Sequence, residues 1–161
     1  MIPLIEKNLI YLNSKLANRD EIIRKMSEDA KDNGMINDVD EYIAAVLKRE
    51  AEVPTTVGFN VSIPHGKSQA VITPFITFMK TEKPFVWDEV SEEETQLIFM
   101  IGVPIDQKDT LHLRILAQIS RKLMDESFRE SLLRADTVEE AYQLIKSIEN
   151  NIYSEEKGNA K

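Results

Sequence analysis

Cysteine is absent from all 161 residues, which excludes a disulfide framework, thiolate catalysis and thiolate metal ligation together. No segment approaches the roughly 18 consecutive apolar residues that a membrane span requires. The opening residues, Met1 to Asn8, carry Glu6 and Lys7 before any apolar stretch reaches signal-peptide length. Direct membrane insertion is therefore not expected, and a cysteine-free chain suits a reduced, cytoplasmic compartment. Basic runs are also missing. With 28 acidic and 20 basic residues the formal charge is -8, so the chain repels polyanions and is not expected to bind nucleic acid. The excess acid either steers a partner with a basic surface or only confers solubility. The glycines, at positions 34, 58, 66, 102 and 158, are too scattered to cradle a nucleotide, and no Gly-x-x-x-x-Gly-Lys loop occurs. Two histidines with no His-x-x-x-His pair make a poor zinc set, so neither a metal nor another cofactor is expected.

What is present is a chain of single-domain length with clear helix starts. In four places an Asn, Asp, Ser or Thr precedes a Glu by three residues, the pattern that satisfies orphan amides at a helix N-terminus. These are Asn18 with Glu21, Asp38 with Glu41, Ser127 with Glu130, and Thr137 with Glu140. Apolar residues at helical spacing follow each, as with Ile22, Ile23, Met26 and Ala30 after the first. Gly34 stands where a left-handed helix stop belongs. A further helix is expected from Asp109 to about Met124, on the face formed by Leu113, Leu116, Ala117, Ser120, Leu123 and Met124. Between the second and this later helix the pattern becomes extended: Val61 to Ile63, Val71 to Met79, Phe85 to Trp87, and Leu97 to Val103. The continuous apolar run Leu97-Ile98-Phe99-Met100-Ile101 reads as a central strand covered on both faces. The fold class is therefore α/β, a three-layer sandwich with a mixed central sheet flanked by helices. Residues 1–152 form the expected single domain, and the polar stretch 153–161 a frayed tail.

With no thiol and no Gly-x-Ser-x-Gly turn, the histidines are the nucleophiles to weigh. In Ile63-Pro64-His65-Gly66-Lys67 the imidazole sits at the end of a predicted strand, after a proline that ends the ladder and before a glycine with no shielding side chain. On spacing alone His65 is equally a turn histidine without chemistry. His112, in the first turn of its helix, equally packs or faces solvent. Arg49, beside Lys48 at the end of the second helix, is accounted for by the macrodipole.

The stretch Thr55-Thr56-Val57-Gly58-Phe59-Asn60-Val61-Ser62-Ile63-Pro64-His65-Gly66 resembles the Thr-Gly-x-Gly-x-Gly-x-Ala-x-Pro-His motif of the mannitol/fructose-type IIA domain (type 2) of the bacterial phosphoenolpyruvate-dependent sugar phosphotransferase system. Two distant stretches add to it. Val86-Trp87 followed by Leu97 to Pro104 resembles the family's tryptophan, central strand and terminal proline, and His112-Leu113-Arg114-Ile115-Leu116-Ala117 resembles its His-Leu-x-x-Leu-Ala helix. The similarity spans residues 5–149. The motif departs from the family at Thr56 and Asn60, which replace its first and third glycines; asparagine tolerates left-handed geometry, threonine less so.

The resemblance implies a phosphoryl carrier of the IIA mannitol/fructose-like fold. It accepts a phosphoryl group on His65 from the phosphocarrier HPr and passes it to a IIB domain of a sugar permease, for sugar or polyol uptake. His112 and Arg49 are implied as the neighbours of His65, and Lys67, Phe59 and Trp87 as candidates for the docking surface, Trp87 being equally a core residue. An alternative role is a regulatory IIA-like phosphoprotein that signals by binding partner proteins. The sugar is not legible, because a carrier of phosphate need never touch it.

Overall fold

The structure, a computed structural model, describes residues 3–105 and 111–159, with side chains described through Tyr153. Among the described residues a six-stranded mixed sheet is flanked by helices on both faces. The elements are β1 (Ile5–Ser14), α1 (Arg19–Asp32), α2 (Val39–Glu52), β2 (Thr56–Gly58), β3 (Val61–Ser62), β4 (His65–Ser68), β5 (Phe75–Val86), β6 (Glu94–Pro104), α3 (Leu111–Leu123), α4 (Glu126–Arg134) and α5 (Val138–Asn159). The strand order is β1-β5-β6-β3-β2, and β4 continues beside β6 where β3 ends. β1 runs parallel to β5, β5 antiparallel to β6, and β3 and β4 parallel to β6.

β6 is the central strand that its unbroken apolar run predicts. Leu97, Phe99, Ile101 and Val103 point into a core shared with α3, α4 and α5. Ile98 and Met100 point into a second core with α1 and α2. Each such buried side chain contributes about 1.5–3 kcal/mol relative to exposure. The three-layer α/β expectation is met.

Three of the expected helix starts hold. Asn18 accepts from the Glu21 amide at 3.0 Å, Asp38 from the Glu41 amide at 3.0 Å, and Thr137 from the Glu140 amide at 3.1 Å. The fourth is corrected: Asp125, not Ser127, caps α4, accepting from the Ser127 amide at 2.9 Å. The expected first residue of α3, Asp109, lies outside the described residues. β5 begins later than Val71, because the Ile72 amide is held by the Met35 carbonyl at 2.8 Å in a turn, and then runs on to Val86. β1 is not anticipated by the pattern. Leu9 and Ile10 are buried side by side, and the register shifts against β5, so period-two alternation is lost. α5 passes residue 152 without a break.

Candidate functional site

The cleft around His65 is built by a step in the sheet. β3 pairs with Leu97 and Ile98 of β6, and β4 resumes the pairing with His65 opposite Ile101. Across the step, the Ile63 amide turns away to the Thr55 carbonyl at 3.0 Å, while the Pro64 carbonyl accepts from Ile101 at 3.0 Å. Pro64 has no amide to lose, so the step costs no ladder donor. His65 therefore opens a strand, where the sequence placed it at the end of one.

The ring folds back on this step. His65 Nδ1 lies 2.9 Å from the Ile63 carbonyl oxygen. A carbonyl oxygen only accepts, so Nδ1 carries the proton and Nε2 of the neutral ring presents its lone pair. The imidazole is half-buried. Desolvation holds its proton affinity below the ordinary value of 6.5, against the opposing pull of the Ile63 carbonyl. The Arg49 guanidinium and His112 lower it further, and the Glu50 carboxylate raises it.

Two of the expected neighbours arrive from opposite layers of the sandwich. His112, in the first turn of α3, lines one small cleft with His65, Gly66, Lys67, Ile101, Val103 and Leu116. Among the described residues that first turn contains no acidic side chain. Arg49 comes from the last turn of α2, where its Nη1 donates to the Val53 carbonyl at 2.7 Å. α2 approaches this closely because of Gly66, where a Cβ would stand 2.9 Å from Val46 Cγ2 and 3.3 Å from the Val46 amide nitrogen. His65, His112 and Arg49 thus meet electrostatically around one ring.

The loop before the site tolerates its two departures from the motif. Gly58, Phe59 and Asn60 take φ of 88°, 58° and 61°, and asparagine accepts that region at little cost. Thr56 is not among the positive-φ residues and lies in β2, so its side chain meets no left-handed demand. Phe59 is exposed and stacks under Arg129 of α4, with the guanidinium carbon 3.8 Å from the ring centroid. Trp87, 3% exposed, belongs to the core rather than to a docking surface. Lys67 is exposed at the cleft.

One residue was not read from the sequence. Glu50 is 4% exposed, and its carboxylate accepts from the Thr55 amide at 3.2 Å, the Thr55 hydroxyl, and the Trp87 indole N–H at 3.3 Å. Its signal was its place in the buried stripe of α2, one turn after Val46. Among the described residues no group of three or more acidic, His or Cys side chains is placed to hold a metal, and no helix is long and apolar enough to cross a membrane.

Comparison with known proteins places these features. The model of the family described as "Phosphoenolpyruvate-dependent sugar phosphotransferase system, EIIA 2" matches residues 3–148. The fructose-specific EIIA component of Haloferax volcanii is 34% identical over 140 residues, covering 87% of this chain and 90% of that protein. The fructose-specific EIIABC component of Bacillus subtilis is 30% identical over 142 residues, 88% of this chain but 22% of that much longer protein. The solved complex of Escherichia coli enzyme IIA mannitol with phosphorylated enzyme IIB mannitol has the same fold, with a TM-score of 0.73 at 24% identity, over 89% of this chain and 99% of that one. The chain belongs to the EIIA type 2 family of the phosphoenolpyruvate-dependent sugar phosphotransferase system, and is a transferase component of that system.

Proposed function

We propose that residues 1–152 are a phosphocarrier domain that takes a phosphoryl group from phospho-HPr on Nε2 of His65 and gives it to a IIB domain. The observation that carries this reading is the bond from Nδ1 to the Ile63 carbonyl, which leaves Nε2 as the only ring nitrogen with a lone pair. Reduced proton affinity keeps that lone pair available near neutral pH.

In the first transfer, Nε2 attacks phosphorus in line while the bond from phosphorus to the donor's histidine breaks. Negative charge on the three equatorial oxygens is the main object of stabilisation. Arg49 contributes a guanidinium with N–H groups beyond the one given to Val53, and His112 borders the same cleft. In the second transfer the P–Nε2 bond breaks and the nucleophile of the IIB domain takes the phosphoryl group. The Escherichia coli IIA mannitol complex with phosphorylated IIB supports a IIB acceptor. The name of the Haloferax volcanii relative makes fructose the first sugar to test.

The test is phosphorylation with enzyme I, HPr and labelled phosphoenolpyruvate. Wild-type protein is expected to carry label on His65 and to discharge it to a fructose-type IIB domain, while His65→Gln carries none. Label retained by His65→Gln sinks the proposal.

A further inference from the structure

The positioning of His65 traces back to a buried carboxylate. Glu50 sits at the C-terminal turn of α2, where the helix dipole disfavours negative charge, and it is almost wholly out of water. Its three hydrogen-bond donors are all neutral. Neither the packing nor the helix end calls for a carboxylate here; an apolar side chain would continue the stripe of Tyr42, Ile43 and Val46 at lower cost. What the carboxylate does is hold Thr55 by both its amide and its hydroxyl. The Thr55 carbonyl then accepts the Ile63 amide at 3.0 Å, and the Ile63 carbonyl accepts Nδ1–H of His65 at 2.9 Å. The indole N–H of Trp87 ties the same carboxylate to the segment after β5.

We infer that Glu50 is a positioning residue for His65, acting through Thr55 and Ile63 to fix the ring's tautomer and the direction of Nε2. The chain of contacts joins the end of α2, the loop that follows it and the step between β3 and β4. Loss of its first link frees Thr55, and the carbonyl that holds the ring proton loses its fixed position. The charge of Glu50 also opposes that of Arg49 at the ring, as its effect on the proton affinity of His65 shows. For rate, this inference rests on the phosphocarrier reading; for tautomer and titration it does not.

The experiment is E50Q, which keeps the shape and removes the charge. Nitrogen-15 spectra of the imidazole are expected to show a reduced Nδ1–H population and a downward shift of the His65 titration. Single-turnover phosphoryl acceptance is expected to slow about tenfold or more, as when an outer partner of an oriented histidine is lost. T55V removes only the hydroxyl link and is expected to shift the tautomer in the same direction, whereas T55S, which keeps both donors, retains the wild-type tautomer. A folded E50Q protein with wild-type tautomer and titration overturns the inference. If E50Q does not fold, an unchanged tautomer in T55V overturns it. Wild-type protein that takes no label from HPr overturns the phosphocarrier reading alone, because the tautomer and titration are read without a partner.

Discussion

At the scale of single residues, the decisive quantity is where the proton of His65 resides. Burial, Arg49 and His112 all disfavour the imidazolium, so the folded value lies below 6.5 and the ring stays nucleophilic on the acid side of neutrality. The sign for stability follows. Between the folded value and 6.5 the unfolded chain binds the proton more tightly, so this ring's contribution is complete above 6.5 and is lost as pH falls through the folded value. Proton NMR should find the His65 midpoint below 6.5, and Arg49→Gln should raise it by removing a cation. The same variant should slow phosphoryl acceptance roughly a hundredfold, the usual cost of one oriented donor to a developing oxyanion. An unmoved midpoint would remove Arg49 from the site. His65, His112 and Arg49 were singled out as a set only by the family resemblance, since the local pattern of each equally allows a bland reading. Glu50 was not: an acid near a helix end reads as solvated, and its burial depends on Thr55 and on Trp87, far away in sequence.

At the scale of elements, the site depends on how closely α2 packs on β4. A methyl group at position 66 would meet both the side chain and the backbone of Val46, so α2 must retreat, and Arg49 goes with it. Gly66→Ala is expected to lose about 1–3 kcal/mol of stability in a denaturant titration and to slow transfer even where folding is complete. Transfer at the wild-type rate would show that the spacing is not critical. α4 is held by a different device: the buried Lys80 ammonium of β5 donates to the carbonyls of Leu132, Leu133 and Ala135 at 3.2, 2.9 and 2.5 Å. Lys80→Met strands these acceptors and should cost about 1–3 kcal/mol; an unchanged denaturation midpoint would refute the capping role. Elements with local caps or an unbroken apolar run were readable, as α1, α2 and β6 show. β1 was not, since this edge strand with shifted register buries Leu9 and Ile10 side by side, and α4 was misplaced because Asp125 competes with Ser127 for the same cap.

At the scale of the whole molecule, the last helix closes the sheet onto the first strand. Ile145, Ile148 and Ile152 of α5 are buried in the same core as Leu4, Ile5 and Ile10. Glu149, 2% exposed, accepts from the amides of Leu4 and Ile5 while Lys146 pairs with it. These contacts, rather than composition, set where the end of the domain is to be tested. A chain shortened to residues 1–152 keeps all of them; among the described side chains it gives up Tyr153, which packs at the margin of the core. It should unfold in one cooperative transition, somewhat below the wild-type midpoint. A chain shortened to residues 1–147 loses Ile148 and Ile152, each costing about 2–5 kcal/mol. It also leaves the amides of Leu4 and Ile5 without their acceptor, at about 1–3 kcal/mol each. That sum is comparable with the 5–15 kcal/mol by which an ordinary domain is stable at all. Circular dichroism and thermal unfolding of the pair separate the possibilities: the shorter chain is expected to lack a cooperative transition, the longer one to keep it. Cooperative folding of 1–147 would show that the lock between α5 and β1 is dispensable, and collapse of 1–152 would move the domain boundary beyond residue 152.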